Sequence, residues 1–395
     1  MAGLERHAAA GTMKVAVLAP SFPPAFRGGG PARTLDALTR AAPEGSEGHV
    51  FAPDKDAGDA QRLAVNSNEW SAVNGVPTYF ASVDKVGELA RMYAEIRRIR
   101  PEVVYLNSVF NLRFSILPRV LVAARYLRPR AILIAPRGEF DAGALRIKSA
   151  KKRLFLAVYR ALGLNRHVVW HASSSAEAEA IRRVWGDRVD VLIRENETLL
   201  PDLPEAPTAH EGPLRAVFLS RLSQKKGLLT ALEALGQVDQ SVDLDVYGPE
   251  EDSAYVSACN RAADALPSGV RVRFRGAVQP EAARTTLARY DVMVFPTAGE
   301  NFGHVIAEAL SGSCAVMTSD TTPWSDALRG GGGVVVTPNT SRAWAERIAE
   351  VARMTPDERL SLRLGAGSAY QRWRSQPAPP HVFELLRNLL AERVG

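Results

Sequence analysis

From Met13 onward, short apolar runs rich in Val and Ile alternate with amphipathic stretches of helical length, and this rhythm limits the possible folds more than any other feature. Apolar runs of strand length, set between helical stretches, read as strands of a parallel sheet with helices on both faces. Strands are expected over 14–19, 50–52, 78–81, 103–107, 131–135, 168–172 and 189–193, with helices between them. The rhythm stops from about 198 to 214, where four prolines and no periodicity read as an interdomain linker. It restarts with strand candidates at 215–220, 244–248, 271–275, 292–295, 315–319 and 333–336. No internal repeat of solenoid period is present, so the expected fold class is α/β, with two non-identical Rossmann-like, doubly wound domains. Their limits would be 13–197 and 215–377, with 198–214 between them. Residues 378–395 follow the breaker QPAPP and would form a last helix, free to pack anywhere, the first domain included.

Length agrees with two domains, because 395 residues exceed the roughly 250–300 at which single cores stop growing. With 46% hydrophobic and 23% charged residues the chain has enough apolar surface to offset chain entropy, which excludes disorder beyond the ends. Residues 1–12 lack the apolar core of a signal peptide and read as a loose tail, and no run approaches the ~20 apolar residues that span a bilayer. The two cysteines, Cys259 and Cys314, have no neighbours at metal-ligand spacing, which suits a reducing compartment and a cytoplasmic location. A net charge of +6 and a pI near 9.4 favour anionic partners without naming one.

In open α/β sheets ligands bind beyond the carboxyl ends of the strands, so the loops there carry the functional argument. The first strand is followed by a proline-rich loop and then Arg27-Gly28-Gly29-Gly30-Pro31 before a helix. Consecutive glycines let backbone N–H groups approach an anion at a helix N-terminus, and they equally suit a flexible loop. Neither a GxGxxG fingerprint nor a Walker loop is present. After the strand at 215–220, Arg221 and Lys226 stand five apart before Gly227 and a helix, where two cations would clamp a diphosphate or simply form a solvated basic loop. Following the strand at 292–295 comes Gly299-Glu300-Asn301-Phe302-Gly303-His304, then Glu308. With a helix starting near Phe302, both carboxylates border one pocket and can accept hydrogen bonds from sugar or ribose hydroxyls, while N–H groups at Phe302, Gly303 and His304 face a phosphate.

The stretch 299–310 resembles the E-x7-E motif of retaining GT-B glycosyltransferases of the family 4 type, and Arg221, Lys226 and Gly227 fall where that family carries an R-x4-KG clamp. Further similarity lies in Pro136-Arg137-Gly138-Glu139-Phe140, His171-Ala172-Ser173-Ser174 with Glu177, Tyr247-Gly248-Pro249 and Thr321-Thr322-Pro323-Trp324. The likeness implies two domains facing across a cleft, the first on the acceptor side and the second binding a nucleotide-diphosphate sugar. Arg221 and Lys226 would neutralise the diphosphate, Glu300 would meet the donor sugar, and Glu308 the ribose. Asn301, Phe302, Gly303 and His304 would supply backbone donors, Val278 would line the base pocket through main chain, and Gly29 and Gly30 would close over the phosphates. Where many relatives have a histidine this chain has Arg137, matching a Pro-Arg-Gly subgroup; Arg137 would be a further catalytic cation, with Glu139 and His171 on the acceptor side. Arg194-Glu195-Asn196 replaces a frequent Pro-Asn-Gly before the linker.

The implied reaction is transfer of a hexosyl or N-acetylhexosaminyl group with retention to a hydroxyl of a glycan, lipid-linked or natural-product acceptor. No cofactor or metal is expected, since Asp-x-Asp and clustered His or carboxylate ligands are missing from the sequence. A GT-B nucleotide-sugar epimerase and a non-catalytic nucleotide-sugar-binding protein share the pattern and remain alternatives. The basic amphipathic stretch 148–160 suits an anionic membrane surface, though a helix packing its apolar side inward explains it more simply. Nucleic acid is disfavoured as a partner because the positive charges are dispersed and no helix-turn-helix, zinc-finger or RNP string occurs.

Overall fold

A computed structural model describes residues 12–141 and 149–393, which form two compact units. Residues through Thr198 join Pro379–Gly395 in unit 1, and Leu199–Ala378 form unit 2. Unit 1 contains β1 (Met13–Leu18), α1 (Gly30–Arg40), β2 (Ser46–Pro53), β3 (Trp70–Val73), β4 (Val76–Ala81), α2 (Val86–Ile99), β5 (Val103–Leu106), a π-helical turn (Leu112–Ile116) and α3 (Leu117–Ala123). It continues with β6 (Ala131–Ile134), α4 (Ser149–Ala161), β7 (Val168–Ala172), α5 (Ser175–Trp185) and β8 (Asp190–Ile193). The sheet order is β3-β4-β2-β1-β5-β6-β7-β8, parallel except for β3.

The β3–β4 hairpin is missing from the sequence expectation, although its signal is present. Val73 pairs with Val76 across Asn74-Gly75, both with positive φ, and Asn-Gly is the dipeptide such two-residue turns prefer. Strand β3 is only partly buried and short, so its apolar content alone does not announce it. The central strands do, because β5 and β6 are buried at every position.

One face of this sheet packs α2 and α5 through Met92, Ile96 and Ile181; the other packs α1 and the chain's last helix. That last helix buries Val382, Phe383 and Leu386 completely, worth about 2 kcal/mol per side chain. His381 caps it: Nδ1 accepts from the Phe383 N–H at 3.1 Å and Nε2 donates to the Leu38 carbonyl at 3.0 Å.

Helix α4 turns Tyr159 inward, and Arg160 donates to the Val184 carbonyl at 2.6 Å and lies over Trp185. Lys152 lies over the Phe110 ring at 5.1 Å. Leu154, Val158 and Leu162, spaced by one turn each, face outward. Lys148 lies outside the described residues. Among the described residues no helix is long and apolar enough to cross a membrane.

Unit 2 contains β9 (Leu214–Leu219), a 3-10 turn (Gln224–Lys226), α6 (Leu228–Leu235), β10 (Val242–Tyr247), α7 (Ser253–Asp264), β11 (Val270–Gly276), α8 (Pro280–Leu287) and β12 (Val292–Phe295). Then come α9 (His304–Ser311), β13 (Ala315–Ser319), α10 (Ser325–Arg329), β14 (Gly333–Val336), α11 (Ser341–Arg353) and α12 (Pro356–Arg374); the chain's last helix is α13 (Val382–Glu392). The order β11-β10-β9-β12-β13-β14, all parallel, is the doubly wound Rossmann arrangement, reversing direction between β9 and β12.

The proline-rich stretch 199–214 is part of unit 2 and is fastened to its α12. Arg359 and Arg363 of α12, both buried, donate to the carbonyls of Thr208, His210 and Gly212, and Tyr370 donates to Pro201 O. Its irregular backbone cannot satisfy its own carbonyls, so side chains from a distant helix do so.

Candidate functional site

In unit 2 the loops leaving β9, β10 and β12 at their carboxyl ends are bonded to one another. Ser220 N donates to Tyr247 O at 3.0 Å, Leu222 N to Pro249 O at 2.9 Å, and Ala298 N to Lys225 O at 2.8 Å. Two glycines permit this closeness. A Cβ on Gly227, whose φ is +79°, would lie 2.1 Å from Pro296 O, and one on Gly248 would lie 1.7 Å from Ser220 O.

That approach brings Lys226 to Glu300. The ammonium lies 2.5 Å from Glu300 Oε1, both side chains only 12% exposed, and it stands over the Phe295 ring. Burial depresses the Lys226 pKa, and the Glu300 carboxylate opposes that shift. Arg221, near enough to act electrostatically on Lys226, pairs with Glu251 at 2.9 Å, both about half exposed. Each of the two cations of the expected clamp rests on a carboxylate.

Helix α9 begins at His304, two residues later than expected, so Glu308 lies about one turn in rather than two; it is buried. Gly303, at φ +82°, leads into the helix, and the Phe302 carbonyl accepts from the Trp324 indole at 2.6 Å. Phe302 packs edge-on against His304 and Trp324, which fixes this turn. Asn301 precedes it in the same loop. Val278 lies in the loop after β11, partly buried against the core of unit 2. Spacing did not reveal Thr297: fully buried, it donates to Glu300 Oε1 at 2.9 Å. Nothing in its local sequence marks it, because a threonine three residues before a glutamate is ordinary and only the path of this loop turns the hydroxyl onto the carboxylate.

In unit 1, Gly29 precedes α1 and Gly30 opens it. The loop before them is anchored by the buried Asp56, which accepts from Phe26 N at 2.9 Å and Arg27 N at 3.0 Å. Those two amides are therefore occupied by a carboxylate of the protein itself.

Arg137 adopts a left-handed conformation, φ +54°, which costs a non-glycine residue about 1 kcal/mol. Its guanidinium donates to Asn107 Oδ1 and Tyr105 Oη, each at 2.8 Å, and to Asn196 Oδ1. His171 is 1% exposed and uses both ring nitrogens: Nε2 donates to the Arg194 carbonyl at 2.9 Å, so Nδ1 accepts from Tyr105 Oη at 2.8 Å. Burial, then Arg137, holds its pKa well below the ordinary value, leaving it neutral. The imidazole is therefore a scaffold group here, because neither nitrogen is left for an acceptor. Glu139 likewise spends Oε1 on Ser108 Oγ at 2.8 Å and Oε2 on Val109 N at 2.6 Å, and burial raises its pKa.

Among the described residues no group of three or more His, Cys, Asp or Glu is placed to hold a metal ion. The unit 2 arrangement pairs one ammonium and one guanidinium with carboxylates, Glu300 standing just ahead of a helix start.

The fold is that of the GT-B class. HepE of Anabaena, solved with UDP and glucose, matches with a TM-score of 0.67 at 18% identity, covering 97% of this chain and 99% of the other. Sucrose-phosphate synthase from Thermosynechococcus elongatus matches at 0.72 and 16%, covering 96% and 100%. A UDP-forming trehalose-phosphate synthase from Burkholderia xenovorans, solved with glucose-6-phosphate, matches at 0.64 and 11%, covering 91% and 96%. At these identities the likeness is one of fold. Residues 213–354, which lie within unit 2, match the family model of glycosyl transferases group 1. No curated protein sequence matches the chain.

Proposed function

We propose that the protein transfers a sugar, with retention, from a nucleotide-diphosphate sugar to an acceptor hydroxyl. The observation that carries this is the Lys226–Glu300 pair at the carboxyl ends of β9 and β12, beside the start of α9, inside the stretch that matches the group 1 family model. An ammonium near a helix N-terminus suits a diphosphate, and a neighbouring carboxylate suits sugar hydroxyls.

In this reading Arg221 and Lys226 neutralise the diphosphate, Glu308 accepts from the ribose hydroxyls, and Glu300 meets the donor sugar. The acceptor oxygen attacks the anomeric carbon on the face from which the diphosphate departs. The bond from the anomeric carbon to the phosphate oxygen breaks, and the acceptor proton passes to that oxygen. Negative charge grows on the leaving group, so Arg221, Lys226 and the helix start stabilise the transition state more than the ground state. Those cations carry the charge without a protein-held metal.

HepE, solved with UDP-glucose, and the UDP-forming synthase make uridine nucleotides the first donors to try. Thermal unfolding across UDP-, GDP-, ADP- and dTDP-sugars is expected to show one donor class raising Tm by mass action. Incubating that donor without acceptor then separates transfer from epimerisation: a changed sugar would overturn transfer, and no stabilisation by any donor would overturn nucleotide-sugar binding.

A further inference from the structure

Glu300 receives both of its hydrogen bonds from the described residues at one oxygen. Lys226 Nζ reaches Oε1 at 2.5 Å and Thr297 Oγ1 reaches the same atom at 2.9 Å. Oε2 is the oxygen left to turn toward a ligand. In the reading above, on which this inference rests, the incoming diphosphate competes for Lys226. An ammonium drawn to phosphate weakens its hold on Glu300 just when the donor sugar needs that carboxylate in place.

We infer that Thr297 is the positioning residue that keeps Glu300 in register as Lys226 turns to the donor phosphate. A hydroxyl has one proton to give. The Glu300 carboxylate is its nearest acceptor, with the carbonyls of Lys225 and Gly299 farther off at 3.3 Å each. A bond to an ionised acceptor is also the stronger choice. The hydroxyl is neutral, so phosphate does not compete for it as it does for an ammonium.

The mount is rigid. Thr297 is β-branched and fully buried; its Oγ1 accepts from Gly299 N at 3.2 Å, and its carbonyl accepts from Ser319 Oγ at 2.5 Å and Thr321 Oγ1 at 3.2 Å. The loop bearing Glu300 is thereby tied to the end of β13. Thr297 touches no donor atom in this scheme and acts through Glu300 alone.

The test compares Thr297→Val, Thr297→Ala and Thr297→Ser in the full chain. Val and Ala, which lack the hydroxyl, are expected to lower kcat/KM for the nucleotide sugar roughly tenfold or more, the scale of a hydrogen bond to a charged group. Ser is expected to remain close to wild type. Affinity for the free nucleoside diphosphates UDP, GDP, ADP and dTDP, which lack the sugar, should stay within about twofold in all three. In a Lys226→Ala background, which removes the ammonium as a bound phosphate would draw it off, ligand-free crystal structures should show Glu300 displaced by Thr297→Val or Thr297→Ala, but not by Thr297→Ser. Unchanged kcat/KM in a folded Val or Ala variant, equal losses in Ser and Val, or Glu300 unmoved in those crystals would each overturn the inference. Failure of wild type to bind any of the nucleotides would instead strike the donor reading, and the crystals would still decide the role of Thr297.

Discussion

The two units place charged side chains at the ends of similar parallel sheets and use them differently. In unit 2, Lys226 and Arg221 rest on Glu300 and Glu251, side chains of opposite charge that, in the proposed reading, a diphosphate and a sugar replace. In unit 1, Arg137 is bound by three neutral oxygens, His171 by a phenol and a carbonyl, and Glu139 by a hydroxyl and an amide. The first kind of pairing can be exchanged at little structural cost. The second is part of the scaffold, because removing one member strands buried polar partners.

This contrast breaks most visibly if Lys226→Ala leaves turnover intact. The expected result is a fall in kcat of about a hundredfold to a thousandfold, measured by steady-state kinetics. Near-normal turnover would remove unit 2 as the seat of chemistry.

Arg137→Leu should show the reverse balance in its structural effect. It strips donors from Asn107, Tyr105 and Asn196, and a loss of about 3 kcal/mol in unit 1 is expected. Urea unfolding followed by hydrogen exchange would locate the loss around β5 and β7. An unchanged stability would show that the guanidinium is held loosely and so available to a ligand.

Acid should separate the units by a smaller amount. Burial lowers the His381 pKa to about 4, while the unfolded chain titrates near 6.5. Between these values the unfolded state binds the extra proton, so stability is complete above about pH 6.5 and falls as pH drops toward 4, by roughly 2–3 kcal/mol at most. The buried His171 contributes with the same sign. Among the described residues unit 2 buries no histidine. Hydrogen exchange at pH 7 and pH 5 should show α13 and β7 losing protection before β9 and β12. Equal loss in both units would refute the assignment.

Much of the fold is legible in the residues because strand and helix periods are local. The runs at β5, β6 and β12 are too apolar to lie anywhere but inside, and the motif from Glu300 to Glu308 stands at the end of one of them. The β3 strand escaped because its burial is partial, and the helix start at His304 because Gly303 and a tryptophan hydrogen bond, not helix propensity, set it. Residue type alone could not say whether Arg137, Glu139 and His171 face a ligand or a neighbour. Their partners lie between 23 and 66 positions away.

The sequence by itself determined the alternation of strands and helices, the break into two domains, and the presence of a Lys226 and a Glu300 at strand ends. Only the tertiary structure decided that these two, 74 positions apart, touch; that Thr297 holds the carboxylate; and that the proline-rich stretch belongs to unit 2. Periodicity is written in neighbouring residues, whereas contact between loops depends on which strands lie side by side, here β9 against β12.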